Sequence, residues 1–257
     1  MRGVVLALTL AGCGRLGFSG SSDASRDTTS DTTTMLDVGP DARAFPSGLL
    51  AYWPMDDDPA KGSLDDASGN GHIALCATGV SCPTMIAGVH GNAIHVDGSQ
   101  YARVTWGPWL GTSGPFTYAA FVYVEQDIDQ VAFARPVGAN VGDSWDAVTW
   151  SVASGNGTCL EDADNTGANQ AVCGAVTPLD TWVHLAGRWD GATAALFING
   201  AKVGQKVTPA VELDMHDIMI GTDENTGSPA YQFHGRIDDL QLYNRALTDA
   251  EILGLAQ

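Results

Sequence analysis

Positive charge is scarce in this sequence. Only 12 lysine and arginine residues stand against 30 aspartate and glutamate residues, which gives a net charge of −18 and an isoelectric point near 4.3. A chain with this charge repels polyanions, so the composition argues against binding of nucleic acid and against electrostatic attraction to anionic membranes. Only five of the acids are glutamate. The others are aspartate, which favours turns and strand ends, and this indicates a β protein rich in loops.

The sequence also lacks an apolar stretch long enough to span a bilayer as a helix. A short apolar run at residues 4–11 follows Arg2 and leads into the tetrapeptide LAGC, which ends at Cys13. This pattern resembles the bacterial lipobox, whose cysteine is lipidated and becomes the mature N-terminus. It predicts a signal peptide at residues 1–12 and a lipid on Cys13, the alternative being an ordinary signal peptide. Because Gly14 follows, the resemblance implies the outer membrane, on its periplasmic or external face, with the lipid as the only membrane contact.

Apolar periodicity is nearly absent between the predicted signal peptide and Phe45, where serine, threonine and aspartate dominate. Such a composition cannot bury enough apolar surface to fold, so residues 13–46 are predicted to be a disordered linker. By random-coil scaling, about 32 such residues give a tether of roughly 30 Å.

From Ser47 onward, short apolar alternations are separated by glycine, asparagine, aspartate and proline. Many short strands at this spacing predict an all-β sandwich or jelly roll over residues 47–257. Asn199 and Gly200 form the dipeptide that a type I′ hairpin turn requires. Thr248 and Glu251 predict a capping box at the start of a short C-terminal helix.

Beyond Cys13 the sequence has four cysteines, an even number in a chain that is predicted to be exported. Three pairings are possible. The local one, Cys76 with Cys82 and Cys159 with Cys173, is favoured because each pair would close a loop rich in glycine, asparagine and threonine. A zinc site is the rival interpretation, but no C-x-x-C pair supports it.

The segment HGRIDDLQLYNRAL, residues 234–247, reads as a strand with two adjacent aspartates. Strict alternation would place Asp238 on one face with Leu240 and Leu242, and Asp239 on the other. A carboxylate among leucines costs several kcal/mol unless it has a partner. The alternation therefore raises the question of what Asp238 contacts.

Several segments, taken in order, resemble a known family. They are GLLAYWPMDD, DASGNGHIA, GVHGNAIHVDGSQYARVT, FTYAAFVYV, DTWVHLAGRWDGATAALFINGAKVG, IMIGTD and FHGRIDDLQLYNRALTDAEI. This combination resembles the laminin G-like, concanavalin A-like jelly-roll domains of bacterial surface proteins, from Ser47 to Gln257. The resemblance implies two antiparallel sheets packed as a jelly-roll sandwich. The segment between FTYAAFVYV and DTWVHLAG is longer than usual in this family and carries a cysteine pair.

The resemblance also implies one structural calcium ion. Calcium takes oxygen ligands, and the family brings together the end of the first strand, the SGNG turn and the last strand. The implied ligands are Asp56, the side chain of Asn70, the carbonyl of His72, and Asp238. The alternative is that Asp238 accepts hydrogen bonds from loop N–H groups or pairs with Arg236 or Arg245.

Laminarinase-type enzymes share this fold and use an E-x-D-x-x-E strand, which this sequence lacks, as it lacks G-x-S-x-G and H-E-x-x-H. The sequence therefore predicts that the protein is not an enzyme. The candidate ligand-binding residues are tryptophans in glycine-rich or polar loops, on which sugar rings stack, although such residues also cover sheet ends. They are Trp106, Trp109 and Trp145. Trp53, Trp182 and Trp189 are interpreted as packing residues.

Together these features predict a monomeric, lipid-anchored cell-surface module that binds an extracellular glycan or protein without catalysing a reaction. The alternatives are a polysaccharide-cleaving enzyme of the same fold and a purely structural envelope protein. Neither alternative is supported by a motif in the sequence, and folds of this kind host many functions.

Overall fold

The computed structural model describes residues 44–76, 79, 82–111, 113–137, 145–153, 157–161, 171–211, 213, 215–225 and 227–257, without the side chains of residues 136–137, 145–153 and 225. Cys13, the predicted signal peptide and nearly all of the predicted linker lie outside these ranges. In the described part of the chain, no helix is long and apolar enough to cross a membrane.

The described residues form short strands and one helix, as the spacing of turn residues predicts. In chain order the elements are β1 Leu49–Trp53, β2 Ser63–Leu64, β3 Ala74–Cys76, β4 Thr84–Ala87, β5 Asn92–Asp97, β6 Ala102–Val104, β7 Phe116–Val124, β8 Val131–Val137, β9 Trp145–Ala153, β10 Gly157–Glu161, β11 Val172–Cys173, β12 Trp182–Trp189, β13 Thr193–Ile198, β14 Ala201–Val207, β15 Ile218–Ile220, β16 Asp223–Asn225, β17 Ser228–Ala230, β18 His234–Tyr243 and α1 Asp249–Leu255. Two 3₁₀ turns, Pro59–Lys61 and Pro108–Leu110, lie in the connections.

Two antiparallel sheets make up the sandwich. Sheet I has the strand order β14-β13-β12-β7-β18-β5-β4, and β1 also pairs with β18. Sheet II has the order β11-β10-β9-β8-β15-β6-β3-β2. Strands that are distant in sequence are neighbours in both sheets, as in a jelly roll, and the all-β jelly-roll prediction is confirmed.

The inner faces of the two sheets form the core. Val122 and Leu196 from sheet I pack with Phe133, Leu160 and Ile218 from sheet II, and all of these side chains are buried. Burial of this apolar surface is the main driving force for folding, at about 25 cal/mol per Å².

A second, smaller cluster covers part of the outer face of sheet I. Ile252 and Leu255 of α1 pack there over small side chains, including Ala119 and Ala186, and Phe45 joins the same cluster. Strand β7 is therefore buried on both faces over most of its length, which explains its nearly continuous apolar sequence. Because Phe45 is only 4% exposed, the packed part of the chain begins before the predicted domain boundary at Ser47.

Three local predictions are confirmed. Asn199 and Gly200 both have positive φ, 50° and 75°, between β13 and β14, as a type I′ turn requires. The Thr248 side chain caps α1 and Glu251 completes the capping box. The cysteines form the two local disulfides, Cys76–Cys82 and Cys159–Cys173.

Candidate functional site

A β-bulge near the middle of β18 decides where its two aspartates lie. Asp238 is opposite Phe121 of β7, but Gln241 is opposite Ala119, so β18 has one extra residue in this interval. Asp239 takes up the extra length with a left-handed backbone (φ 52°), which a non-glycine residue seldom adopts. The predicted alternation is therefore wrong at this point.

Ile237 is the residue that joins the leucines of β18 in the core, not Asp238. Since Asp238 is opposite Phe121, and Phe121 contacts the ring of His184 outside the core cluster, Asp238 lies on the outer side of sheet I. The physical reason is that the additional residue reverses the alternation of every side chain beyond it.

The bulge coincides with a gap in the strand pairing. One edge of β18 pairs with β5 as far as Ile237 and pairs with β1 from Leu240 onward. Asp238 and Asp239 lie between these two ladders. Their carboxylates therefore meet the loop that precedes β5 and the end of β1.

Asp238 is completely buried, and the loop before β5 donates hydrogen bonds to it. Its Oδ2 accepts the backbone N–H groups of Val89, at 2.7 Å, and His90, at 3.1 Å. Its Oδ1 is buried without a hydrogen-bond partner in the described part of the chain. Burial, together with the charges of Asp239 and Asp56, raises the pKa of Asp238 to about 7, although the two loop N–H groups oppose this shift.

Asp239 has partners of its own. The hydroxyl of Tyr52 donates to its Oδ1 over 2.6 Å, and the ring Nδ1 of His90 lies 2.7 Å from its Oδ2. Ligand atoms of His90, Asp238 and Asp239 lie within 4.8 Å of one another. We call these three residues the carboxylate cluster. A cluster with a buried, unpartnered carboxylate oxygen fits a cation, because a cation would compensate that oxygen.

The structure brings together only two of the four predicted calcium ligands. Asp56 accepts the backbone N–H of Asn92 over 2.7 Å, and its charge acts on Asp238. Asn70 and His72 share none of these contacts. The Asn70 amide donates to the carbonyl of Leu50 over 2.9 Å. The loop N–H groups that the alternative prediction gave to Asp238 are present, and they satisfy its Oδ2.

His72 is held by a different network. Its carbonyl accepts the indole N–H of Trp53 over 2.7 Å, and its backbone N–H donates to Asp66 over 2.8 Å. The second oxygen of Asp66 accepts the N–H groups of Tyr52 and Ser68. Asp66, which the sequence analysis did not single out, therefore organises the SGNG turn. An aspartate side chain that accepts the backbone N–H two residues further on forms an Asx-turn, as Asp66 does with Ser68.

The pairings proposed with arginine are also wrong. Arg236 pairs with Glu125 (Nε to Oε1, 3.1 Å), and Arg245 pairs with Glu251 (Nη2 to Oε1, 2.6 Å). Arg236 and Arg245 therefore each neutralise a glutamate rather than Asp238.

The structure describes the side chains of two of the three predicted ligand-binding tryptophans. Trp106 and Trp109 are half-buried and pack against the main core. Trp109 also stacks on His72, with ring centroids 3.6 Å apart. The backbone of Trp145 begins β9, and its side chain lies outside the described residues. Packing thus explains much of the surface of Trp106 and Trp109.

An aromatic and charged row that the sequence analysis missed crosses the outer face of sheet I. Trp182 of β12 is opposite Tyr123 of β7, Tyr123 is opposite Arg236 of β18, and Arg236 is opposite His95 of β5. Each of these side chains is half-buried, so interpreting Trp182 only as a packing residue was incomplete. The alternation of Trp182 with Val183 and of Tyr123 with Val124 carried the signal, because it places both rings on the face opposite the core.

The contacts within this row fix its side chains. The guanidinium of Arg236 lies 4.3 Å from the centroid of the Tyr123 ring, and the Tyr123 and Trp182 rings meet edge to face at 5.6 Å. The carboxylate of Glu125 contacts both Arg236, at 3.1 Å, and His95, at 3.0 Å. Although partial burial alone would raise the pKa of Glu125, the hydrogen bonds and charges of His95 and Arg236 lower it. We call these five residues the outer row.

Residues 96–253 match the family model of the concanavalin A-like lectin/glucanases superfamily, which is more than half of the chain. The chain belongs to this superfamily. The match includes the bulge of β18 and the outer row except for His95, which lies one residue before the matched range. Among curated proteins, none has a sequence that matches this superfamily member significantly.

Several solved structures share the fold. Domain 4 of the extracellular GH43 arabinanase AbnA of Geobacillus stearothermophilus, in complex with arabinotriose, is 22% identical, with a TM-score of 0.64 over 81% of this chain and 98% of that domain. The binding domain of Paraclostridial Mosquitocidal Protein 1 is 17% identical, with a TM-score of 0.64 over 81% of this chain and 52% of that one. A Trypanosoma rangeli sialidase in complex with sialic acid is 15% identical, with a TM-score of 0.61 over 84% of this chain and 34% of that one. At these identities the likeness establishes the fold.

Proposed function

We propose that this superfamily member is a non-catalytic module that binds an extracellular carbohydrate. The observation that carries the proposal is the extent of the structural matches. The chain corresponds to 98% of an arabinanase domain that was solved with arabinotriose, but it spans only 34% of the sialidase. It thus resembles a complete accessory domain and a minor part of an enzyme.

The absence of an E-x-D-x-x-E strand supports the non-catalytic part of the proposal. So does the chemistry of the carboxylate cluster. Asp238 is completely buried and Asp239 is 1% exposed, and both already accept hydrogen bonds from the protein. A carboxylate that acts on a glycosidic bond must reach the bond.

A glycan array probed with the full chain tests this function, and a reducing-sugar assay on the bound polysaccharides tests the absence of catalysis. We expect binding to a restricted set of glycans and no release of reducing ends. Hydrolysis of any bound polysaccharide would contradict the non-catalytic proposal. If the chain binds an extracellular protein and no glycan, its partner is a protein and the carbohydrate-binding proposal is wrong.

We also propose that the module is held at the bacterial outer membrane by a lipid on Cys13. The LAGC tetrapeptide and the polar linker after it support this. Mass spectrometry of the membrane fraction is expected to find a diacylglyceryl adduct on an N-terminal Cys13. A water-soluble protein that retains Met1 would contradict the anchor.

We propose, finally, that calcium binds at Asp238 with Asp56 as a further ligand, and that it stabilises the fold. The buried Oδ1 of Asp238 and the nearby charge of Asp56 support this site. Bound calcium would compensate the negative charges of the Asp238 and Asp56 carboxylates. Asn70 and His72 are not included, because their contacts lie elsewhere.

Thermal unfolding with calcium and with a chelator tests the calcium proposal. If calcium binds only the folded state, a hundredfold excess over its dissociation constant adds about 2.7 kcal/mol, so chelation is expected to lower the Tm. Asp238→Asn, which retains an acceptor oxygen for the loop N–H groups, is expected to abolish the difference. The exposed Asp127→Asn variant is the matched control and should keep it. Identical melting curves for the wild type in both conditions would rule out the site.

A further inference from the structure

The outer face of sheet I is divided into two halves. Helix α1 and Phe45 cover one half, where Ala119, Ala186 and Ala195 leave room for them. None of the five residues of the outer row belongs to this cluster. Their side chains are half-buried, and those of Arg236, His95 and Glu125 are 27 to 28% exposed. The second half of the face is thus polar and aromatic, and solvent reaches it.

The backbone makes this row straight and open at one end. Four of its members lie on adjacent strands at matching register positions, and Glu125 directly follows the end of β7. Strand spacing in a sheet gives the row a length of about 14 Å. Strand β13 pairs with β12 only from Leu185 onward, because the chain turns at Asn199 and Gly200. On the β13 side Trp182 therefore lies beyond the end of the ladder, and within the described residues its strand partner is Tyr123 of β7.

The row offers the two kinds of contact that a sugar needs. An aromatic ring presents apolar surface to the C–H face of a sugar. Here the edge-to-face contact with Tyr123 holds the ring of Trp182 in place. Each sugar hydroxyl both donates and accepts. Arg236 uses its Nε for Glu125, which leaves its terminal nitrogens as donors, while Glu125 is an acceptor with two oxygens.

We propose that the outer row binds a short neutral oligosaccharide, with one ring stacked on Trp182 and the next hydroxyls hydrogen-bonded to Arg236 and Glu125. This inference rests on the proposed carbohydrate-binding function and assigns it to a surface other than the loop tryptophans Trp106 and Trp109. Because the row is already fixed by its own contacts, little side-chain entropy is lost when a ligand binds.

Charge selects the neutral class of sugar. Arg236 and His95 both contact the carboxylate of Glu125, so the row offers no unpaired cation to hold a uronic or sialic acid. The whole chain carries a net charge of −18, which repels polyanionic glycans. Arg236 is satisfied in part by Glu125, so an acidic sugar would have to compete with that ion pair.

The test uses the full chain in a detergent without a sugar headgroup. Binding of arabinotriose, cellotriose, maltotriose and sialyllactose is measured by titration calorimetry for the wild type and for Trp182→Ala, Trp182→Phe and Arg236→Ala. The matched control is Tyr231→Ala, an aromatic residue outside the row that is 51% exposed. We expect at least one neutral trisaccharide to bind. Trp182→Ala should weaken it by about tenfold or more, Trp182→Phe by less, and Tyr231→Ala should have no effect.

A second measurement does not depend on the stability of a variant. Wild-type protein is oxidised with N-bromosuccinimide with and without the bound trisaccharide, and peptide mapping reports each tryptophan. The sugar is expected to protect Trp182 and not Trp106 or Trp109.

The outcomes separate the two proposals. If a neutral trisaccharide binds but Trp182 is neither protected nor needed, the outer row is not the site, although the carbohydrate-binding function stands. Binding of sialyllactose alone would overturn the neutral class. If the wild type binds none of these oligosaccharides and no glycan on the array, both the site and the proposed function are wrong.

Discussion

At the scale of single residues, the most unusual feature is two adjacent carboxylates that are both buried. Asp238 and Asp239 would repel each other, and each would lose hydration in the folded state. The bulge reduces this cost, because it directs them to different partners. Asp238 receives two backbone N–H groups, and Asp239 receives Tyr52 and His90. A cation at Asp238 would remove the remaining cost.

His184 leads to a prediction about acid stability. It is 2% exposed, and burial lowers its pKa to about 4 from an ordinary value of 6.5, a shift that the charge of Asp239 opposes and that of His90 reinforces. The unfolded chain therefore binds a proton more readily than the folded one. The folded state is therefore favoured when His184 is neutral in both states, and this contribution to stability is fully present above pH 6.5. About 3 kcal/mol of the unfolding free energy is lost as the pH falls from about 6.5 to about 4. Urea unfolding at a series of pH values measures the loss.

The variant His184→Gln serves as the control for that experiment, since it removes the titrating group. The difference in unfolding free energy between the wild type and this variant isolates the His184 contribution, because Asp238, with its raised pKa, gives the opposite dependence on pH in both proteins. Glu251, whose pKa the Arg245 side chain lowers to about 2, loses its contribution at lower pH, from its ordinary value of 4.5 down to about 2. An unchanged slope in His184→Gln would show that another group is responsible.

At the scale of elements, a disulfide joins the two strands at one edge of sheet II. Cys159 of β10 and Cys173 of β11 are directly opposite each other, with Cα atoms 4.0 Å apart. β11 has only two residues, so the ladder between these strands is short. The disulfide therefore contributes much of the stability of this edge of the sheet.

Removing that disulfide tests its role. With both Cys159 and Cys173 replaced by alanine, the free energy of unfolding is expected to fall by about 3 kcal/mol, because the unfolded chain regains the entropy of a closed loop. The shorter Cys76–Cys82 loop is the internal comparison, and its removal should have a smaller effect. Non-reducing peptide mapping of the wild type checks both pairings. A larger effect from the shorter loop would contradict the loop-entropy explanation.

At the scale of the whole molecule, Phe45, which the sequence assigned to the predicted linker, packs on the domain. This side chain is 4% exposed and lies on Tyr52, with ring centroids 4.7 Å apart, in the cluster that α1 completes. Residues near both ends of the described chain thus pack together on the outer face of sheet I. The N-terminal end of the domain is therefore part of its packing.

Phe45→Ala is therefore expected to lower the free energy of unfolding by about 3 kcal/mol, the usual cost of removing a buried ring. A fragment that starts at Ser47 should show a similar loss relative to one that starts at Ala44. Ser47→Ala, an exposed change two residues further on, is the matched control and should have little effect. Equal stability of the two fragments would show that Phe45 does not contribute to the fold.

The features that the sequence by itself determined depend on neighbouring residues. Asn199 and Gly200 adopt positive φ because asparagine tolerates this region and glycine has no Cβ to oppose it, and Thr248 and Glu251 cap the helix that they begin. The local disulfides, the many short strands and the all-β sandwich follow from similar short-range patterns and from composition. Such features need no knowledge of which strands become neighbours.

The features that only the tertiary structure decided depend on pairing between distant strands. Whether Asp238 points to the core or to the outer face is set by its register with Phe121, 117 positions earlier in the chain, and by the gap between β1 and β5. The position of Trp182 beside Tyr123, and the attachment of His72 to Trp53, have the same origin. One added residue in a strand inverts every following side chain, and alternation within a single strand does not reveal where its partner strand imposes that shift.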